Sequence, residues 1–153
     1  MYKLYCRLFQ FILRLVSPFL PWRKPELLEG EGSLKMLPTL IKNKEINQVL
    51  IVTDKGITSL GLMDKLLEDL GANGIHNVVY DKTVPNPTIA NIEEALEVYN
   101  SYSCKGIIAF GGGSPIDCAK GIAARIARPE KSISQMKGIL KIRKRIPPFF
   151  AVP

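Results

Sequence analysis

Hydrophobic and polar positions follow two periods along this chain of 153 residues. Over residues 1–20, Lys3, Arg7, Gln10 and Arg14 recur at spacings of four, three and four and gather into one narrow polar stripe. Leu4, Leu8, Phe9, Phe11, Ile12, Leu13, Leu15 and Val16 fill the remainder, which predicts an amphipathic helix ended by Pro18 and Pro21. Leu34, Leu37, Leu40 and Ile41 stand at helical spacing behind Ser33, so a serine-capped helix is expected to about residue 44. Residues 49–52 are wholly apolar and β-branched apart from Leu50, the pattern of a strand buried on both faces, and they end at Thr53 and Asp54. Leu60, Met63, Leu66, Leu67 and Leu70 predict a helix over 57–70 that stops at Gly71.

Further along, 77–80 reads as a strand, 84–88 as a rigid proline-bounded connection, 89–99 as a helix and 106–110 as a third strand. A helix to about residue 127 follows, and 148–152 reads as a fourth strand. Strands and helices in alternation predict an α/β fold, a Rossmann-like parallel sheet with helices on both faces. The apolar run 149–152 at the last strand is expected to favour self-association.

Composition, 46% hydrophobic and 23% charged, is that of a globular chain with room for one ordinary core. Cys6, Cys104 and Cys118 are odd in number and far apart, which excludes a disulfide framework or a zinc ribbon and fits a cytoplasmic location. The net charge of +7 sits at the ends. Five basic residues and no acid occupy 1–24, and six occupy 131–145. No basic stripe interleaved with aromatics lies on the body, so nucleic acid is not an expected partner. The first helix is too interrupted for a membrane span, and no small-residue cleavage site follows it. Two readings stay open for 1–24: a peripheral membrane contact in the interface, edged by Trp22, Arg23 and Lys24, or docking on protein.

The chemistry concentrates in Gly111-Gly-Gly-Ser-Pro-Ile-Asp-Cys-Ala-Lys120. Glycines at the carboxyl end of a buried strand let an anion approach the backbone, and Ser114, Pro115 and Asp117 suit the cap, first residue and closing acid of a helix amino terminus. These residues allow either a phosphate-binding turn or a tight turn with a well-capped helix. The pattern is neither G-x-G-x-x-G, since Ile116 stands where the last glycine would be, nor a P-loop. His76, the single histidine, lies outside any ligand spacing.

The decapeptide resembles the cofactor motif of the iron-containing (group III) alcohol dehydrogenases, in the dehydroquinate synthase-like superfamily. Leu50-Ile-Val-Thr-Asp54-Lys-Gly56 and Pro85-Asn-Pro-Thr88 agree with that family in order and spacing. The resemblance divides the chain into a helix over 1–24 and a dinucleotide-binding domain over 25–153. It implies that Gly112, Gly113 and Ser114 hold a cofactor pyrophosphate, that Asp54 accepts hydrogen bonds from the adenosine ribose, and that Asn86 lines the nicotinamide half. Asp117 either joins them or caps the helix, and Lys120 either pairs along the helix or stays in solvent. A carboxylate at Asp54 implies NAD rather than NADP. The family reaction is hydride transfer between an alcohol and an aldehyde, with iron or zinc on the substrate oxygen, in a homo-oligomer. The metal's aspartate and three histidines belong to an all-helical C-terminal domain that these residues lack. The segment Thr-Thr-x-Gly-Thr-Gly-Ser-Glu, which completes the family's cofactor site, would follow Pro153. The chain is therefore expected to be the N-terminal part of such an enzyme, inactive alone. A glycerol dehydrogenase or dehydroquinate synthase fragment, or a non-catalytic nucleotide-binding or membrane-surface module, are the alternatives.

Overall fold

Runs of β-branched residues make the centre of the fold. β1 (Gln48–Val52), β2 (His76–Tyr80), β3 (Gly106–Phe110) and β4 (Phe149–Val152) form one sheet in the order β2-β1-β3-β4. Every pairing is parallel, with Leu50 beside Val78 and Ile107, and Ile108 beside Phe150. The computed structural model describes residues 2–19, 24–139 and 141–153, so the positions of Trp22 and Arg23 lie outside the description.

Successive side chains of a strand point to opposite faces, and both faces are apolar in β1 and β3. Leu50, Val52, Ile107 and Ala109 pack under α5 (Ile89–Ser101) and α6 (Gly113–Ala127), against Ile92, Ala95, Cys118 and Ile122. Val49, Ile51, Ile108 and Phe150 face the other way, against Leu37 and Ile41 of α2 (Leu37–Lys42) and Met63, Leu66 and Leu70 around α4 (Asp64–Ala72). Helices thus cover both faces, as the alternation predicts. α1 (Tyr2–Val16) is the amphipathic helix, followed by a 3-10 turn at Ser17–Phe19 that takes in Pro18.

Three boundaries differ from expectation for identifiable reasons. Ser33 does not cap a continuous helix: Gly32, at φ 74°, precedes a 3-10 turn at Ser33–Met36, and α2 starts only at Leu37. Pro38 has no N–H for the carbonyl of Leu34, which splits the predicted helix. The helix expected over 57–70 is likewise two, α3 (Lys55–Ser59) and α4, because Gly61 turns the chain at φ 64°. Leu60, expected on the buried face, falls in that break and is exposed. Gly71 lies inside α4, and the stop is at Asn73, whose Nδ2 donates to the carbonyl of Asp69 at 2.7 Å, before Gly74 at φ 72°.

α5 and α6 approach closely enough that a Cβ on Gly121 would lie 2.5 Å from Ile92 Cδ1 and 2.9 Å from its Cγ1. Arg125 braces the same pair, donating from Nε to Glu93 at 2.7 Å and from one Nη to the carbonyl of Lys131 at 2.6 Å. Gly121→Val is expected to lower stability by about 2–3 kcal/mol through overpacking. The control Gly71→Ala, where nothing lies within 4 Å of the added carbon, should raise it by roughly 0.5–1 kcal/mol. Urea midpoints of the two variants check both, and equal midpoints would contradict the close approach.

Candidate cofactor site

The chain leaves β1 for β2 on one side and then crosses back to β3 on the other. In an open parallel sheet the crevice for ligands lies beyond the carboxyl ends of the strands at such a reversal, here β1 and β3. Three helices begin at this edge: α3 after β1, α5 after β2 and α6 after β3.

Their amino termini are not alike. Asp54, in extended conformation, caps α3 with Oδ1 accepting from the Ile57 N–H at 3.2 Å. Thr88 and Asn91 form a reciprocal capping box at α5. α6 has Gly112 at its cap position and no side-chain cap at all. The first N–H groups of a helix have no acceptor inside it, so those of Gly113 and Ser114 add their partial positive charge to the crevice.

This overturns one detail of the motif. Ser114 was expected as the cap and Pro115 as the first helical residue, but α6 already begins at Gly113. The turn at Gly111 bends the chain early enough for Gly112 to take the cap position and Gly113 to enter the helix, while proline within the first turn forfeits no intrahelical bond. Ser114 Oγ is thereby released for another contact, a long hydrogen bond of 3.4 Å from the N–H of Asn86. Asn86 sits between two prolines at φ 55°, a left-handed conformation that asparagine tolerates. Asp117 does not close a capping box either. It lies exposed and pairs with Lys120 at 3.1 Å, so Lys120 takes the helix-neighbour alternative.

The three glycines divide into two kinds. Gly111 has φ 122°, and a Cβ there would overlap Ile57 Cδ1 and lie 3.2 Å from Pro115 Cγ and 3.8 Å from Asp54 Oδ2. It is required by the protein's own packing. Gly112 (φ −67°, ψ −159°) and Gly113 need no glycine for conformation, and nothing lies within 4 Å of a Cβ at either position. Their bareness leaves a ledge that a side chain would fill, beside an uncapped helix start. Such bareness at a helix start is what a phosphate-binding turn requires.

Asp54, Gly112, Gly113, Ser114 and the Asn86 loop therefore come together at one edge, while Asp117 stands on the flank of α6. Sequence reasoning passed over Gly111 as the crossing point and Thr53 behind it. Thr53 is fully buried, and its Oγ1 has no hydrogen-bond partner among the described residues. A polar residue closing an apolar strand was the available signal.

Reactive groups are scarce nearby. Burial pushes the Cys118 thiol of α6 upward, and desolvation raises the Tyr80 hydroxyl to about 12. Hydrogen bonds from Lys82 and then Tyr80 hold Glu94 below the usual carboxylate range. The Lys82–Glu94 contact is 2.5 Å, and Tyr80 donates to Glu94 at 3.0 Å, which ties the exit of β2 to α5. His76 opens β2 at the opposite end of the sheet. Among the described residues no three or more His, Cys, Asp or Glu converge as a metal site.

Gly111→Ala is expected to cost about 3 kcal/mol, from strain at positive φ together with overlap on Ile57. Gly112→Ala should stay within about 0.5 kcal/mol. Thermal or urea unfolding distinguishes them, and equal losses would refute the division.

Comparison with known proteins agrees with this fold. The family model described as "Iron-containing alcohol dehydrogenase" matches residues 25–153. "Alcohol dehydrogenase 4" of Saccharomyces cerevisiae (strain YJM789) is 38% identical over 123 residues, 80% of this chain and 32% of that protein. Among solved structures, 1,3-propanediol oxidoreductase superposes with a TM-score of 0.76 at 34% identity, covering 80% of this chain and 32% of that one. The NADH-dependent butanol dehydrogenase A of Thermotoga maritima does so with a TM-score of 0.75 at 30% identity, covering 86% and 33%. The chain spans about a third of the length of these relatives.

Proposed function

Because the chain belongs to the iron-containing alcohol dehydrogenase family, we propose that it is the NAD-binding part of an enzyme that moves hydride between an alcohol–aldehyde pair and nicotinamide. The observation that carries this reading is the ledge at Gly112 and Gly113, empty of side chains and backed by the one of the three helix starts at this edge without a side-chain cap. When bound, NAD supplies the hydride-accepting carbon.

The chain's own residues bind and orient it. N–H groups of the first turn of α6 meet the pyrophosphate, where a helix amino terminus favours anionic oxygens. The Asp54 carboxylate, on the facing loop, accepts from ribose hydroxyls and repels a 2'-phosphate, which selects NAD over NADP. The Asn86 loop, held to Ser114, borders the nicotinamide half, and Asp117 bounds the ledge from α6. The family's divalent metal finds no cluster of three or more His, Cys, Asp or Glu among the described residues. On the proposed reading these 153 residues alone are inactive as a dehydrogenase, since the resemblance assigns the metal ligands to a further helical domain. A cytoplasmic location, homo-oligomeric assembly of the complete enzyme and a peripheral membrane contact through residues 1–24 complete the proposal.

Two measurements test it. Gly112→Val is expected to weaken NADH binding at least about tenfold, read by titration calorimetry, with thermal stability preserved; the ledge is not the pyrophosphate site if affinity is unchanged. Asp54→Asn keeps an N-cap oxygen for α3 while removing the charge. It should narrow the preference for NADH over NADPH by about tenfold or more, and an unaltered ratio would remove Asp54 from the ribose.

A further inference from the structure

Resting on the peripheral membrane contact proposed for residues 1–24, we infer that α1 is an anionic-lipid-binding helix that lies in the plane of the membrane surface. Its main contacts among the described residues are with the 3-10 turn that follows it, and its apolar side chains face outward. Leu4 is 75% exposed, Phe11 62%, Leu8 57% and Phe19, in the turn, 86%.

At about 100° per residue, Lys3, Arg7, Gln10 and Arg14 occupy an arc of about 60°, whereas the apolar residues sweep about 220° without interruption. A helix docked on a globular core needs an apolar stripe of roughly 100°. An arc twice as wide with a narrow charged rim suits a medium that wraps the helix from below, which is the headgroup–acyl boundary. At 15 residues α1 is too short to cross, and no described helix is long and apolar enough to do so.

Charge selects the lipid. α1 carries Lys3, Arg7 and Arg14 and no acid, and Arg23 and Lys24 continue the series. Cations confined to the rim stand at the depth of lipid phosphates, where an anionic leaflet attracts each by about the same increment. The α1 of a second copy offers no such complement, because it repeats the same positive charges.

The test uses the full chain with vesicles of phosphatidylcholine alone or with one-third phosphatidylglycerol. The chain is expected to co-sediment with the anionic vesicles, to be released by 0.5 M salt at roughly this order of screening, and to shift the fluorescence of its single tryptophan, Trp22, to the blue. Arg7→Gln with Arg14→Gln should weaken partition about 30-fold, and Leu8→Ser with Phe11→Ser and Ile12→Ser should abolish it. NADH affinity should not move in either variant. Equal binding to both vesicle types, insensitive to the arginines, would overturn the anionic-lipid assignment while leaving a peripheral contact standing. No binding to either, with α1-dependent dimers in lipid-free buffer, would overturn both and leave the cofactor reading untouched.

Discussion

At Gly111 two segments of chain pass so closely that no room is left for a second side chain beside that of Ile57, and the crevice takes its shape from that contact. The loop leaving β3 crosses the loop leaving β1, with Ile57 filling the gap and the Asp54 carboxylate within reach. The N–H of Gly111 meanwhile donates to the carbonyl of Val152 at 2.8 Å, which fixes the same residue to β4. One position thus sets the spacing of three strand exits. Everything placed at the crevice, the carboxylate on one side and the start of α6 on the other, takes its separation from this crossing.

The second determinant is the unequal treatment of helix ends. A side-chain cap answers one N–H of a helix start and stands an acceptor oxygen over the rest, and α3 and α5 carry such caps in Asp54 and in Thr88 with Asn91. α6 is not. The same backbone element is therefore closed structure twice and an open electrostatic site once. The difference lies in the glycine at the cap position, while Ser114, two residues too late to cap, accepts from Asn86 instead.

The strands were legible in the sequence to within a residue, because apolar β-branched runs buried on two faces have few other ways to be satisfied. Helix limits were legible only where nothing local competed. Pro38 and Gly61 each interrupted an apolar period that continues correctly across the break, so Leu37, Met63, Leu66 and Leu70 were rightly placed in the core while the helices around them were drawn too long. Within the motif, three adjacent glycines look identical in sequence. Only packing separates Gly111, which the fold needs, from Gly112 and Gly113, which it does not. The contact between Asn86 and Ser114 joins residues 28 apart, and no local pattern announces it.

The close approach of α5 and α6 at Ile92 and Gly121 has a kinetic consequence. The two helices are joined there, again through Arg125 and Glu93, and once more at their starts through Asn86 and Ser114. Both walls that rise beside the ledge are accordingly tied to each other at three points along their length. Under the proposed reading a ligand reaching the ledge meets walls already braced against each other, and its residence time follows from how firmly the backbone of α6 holds it.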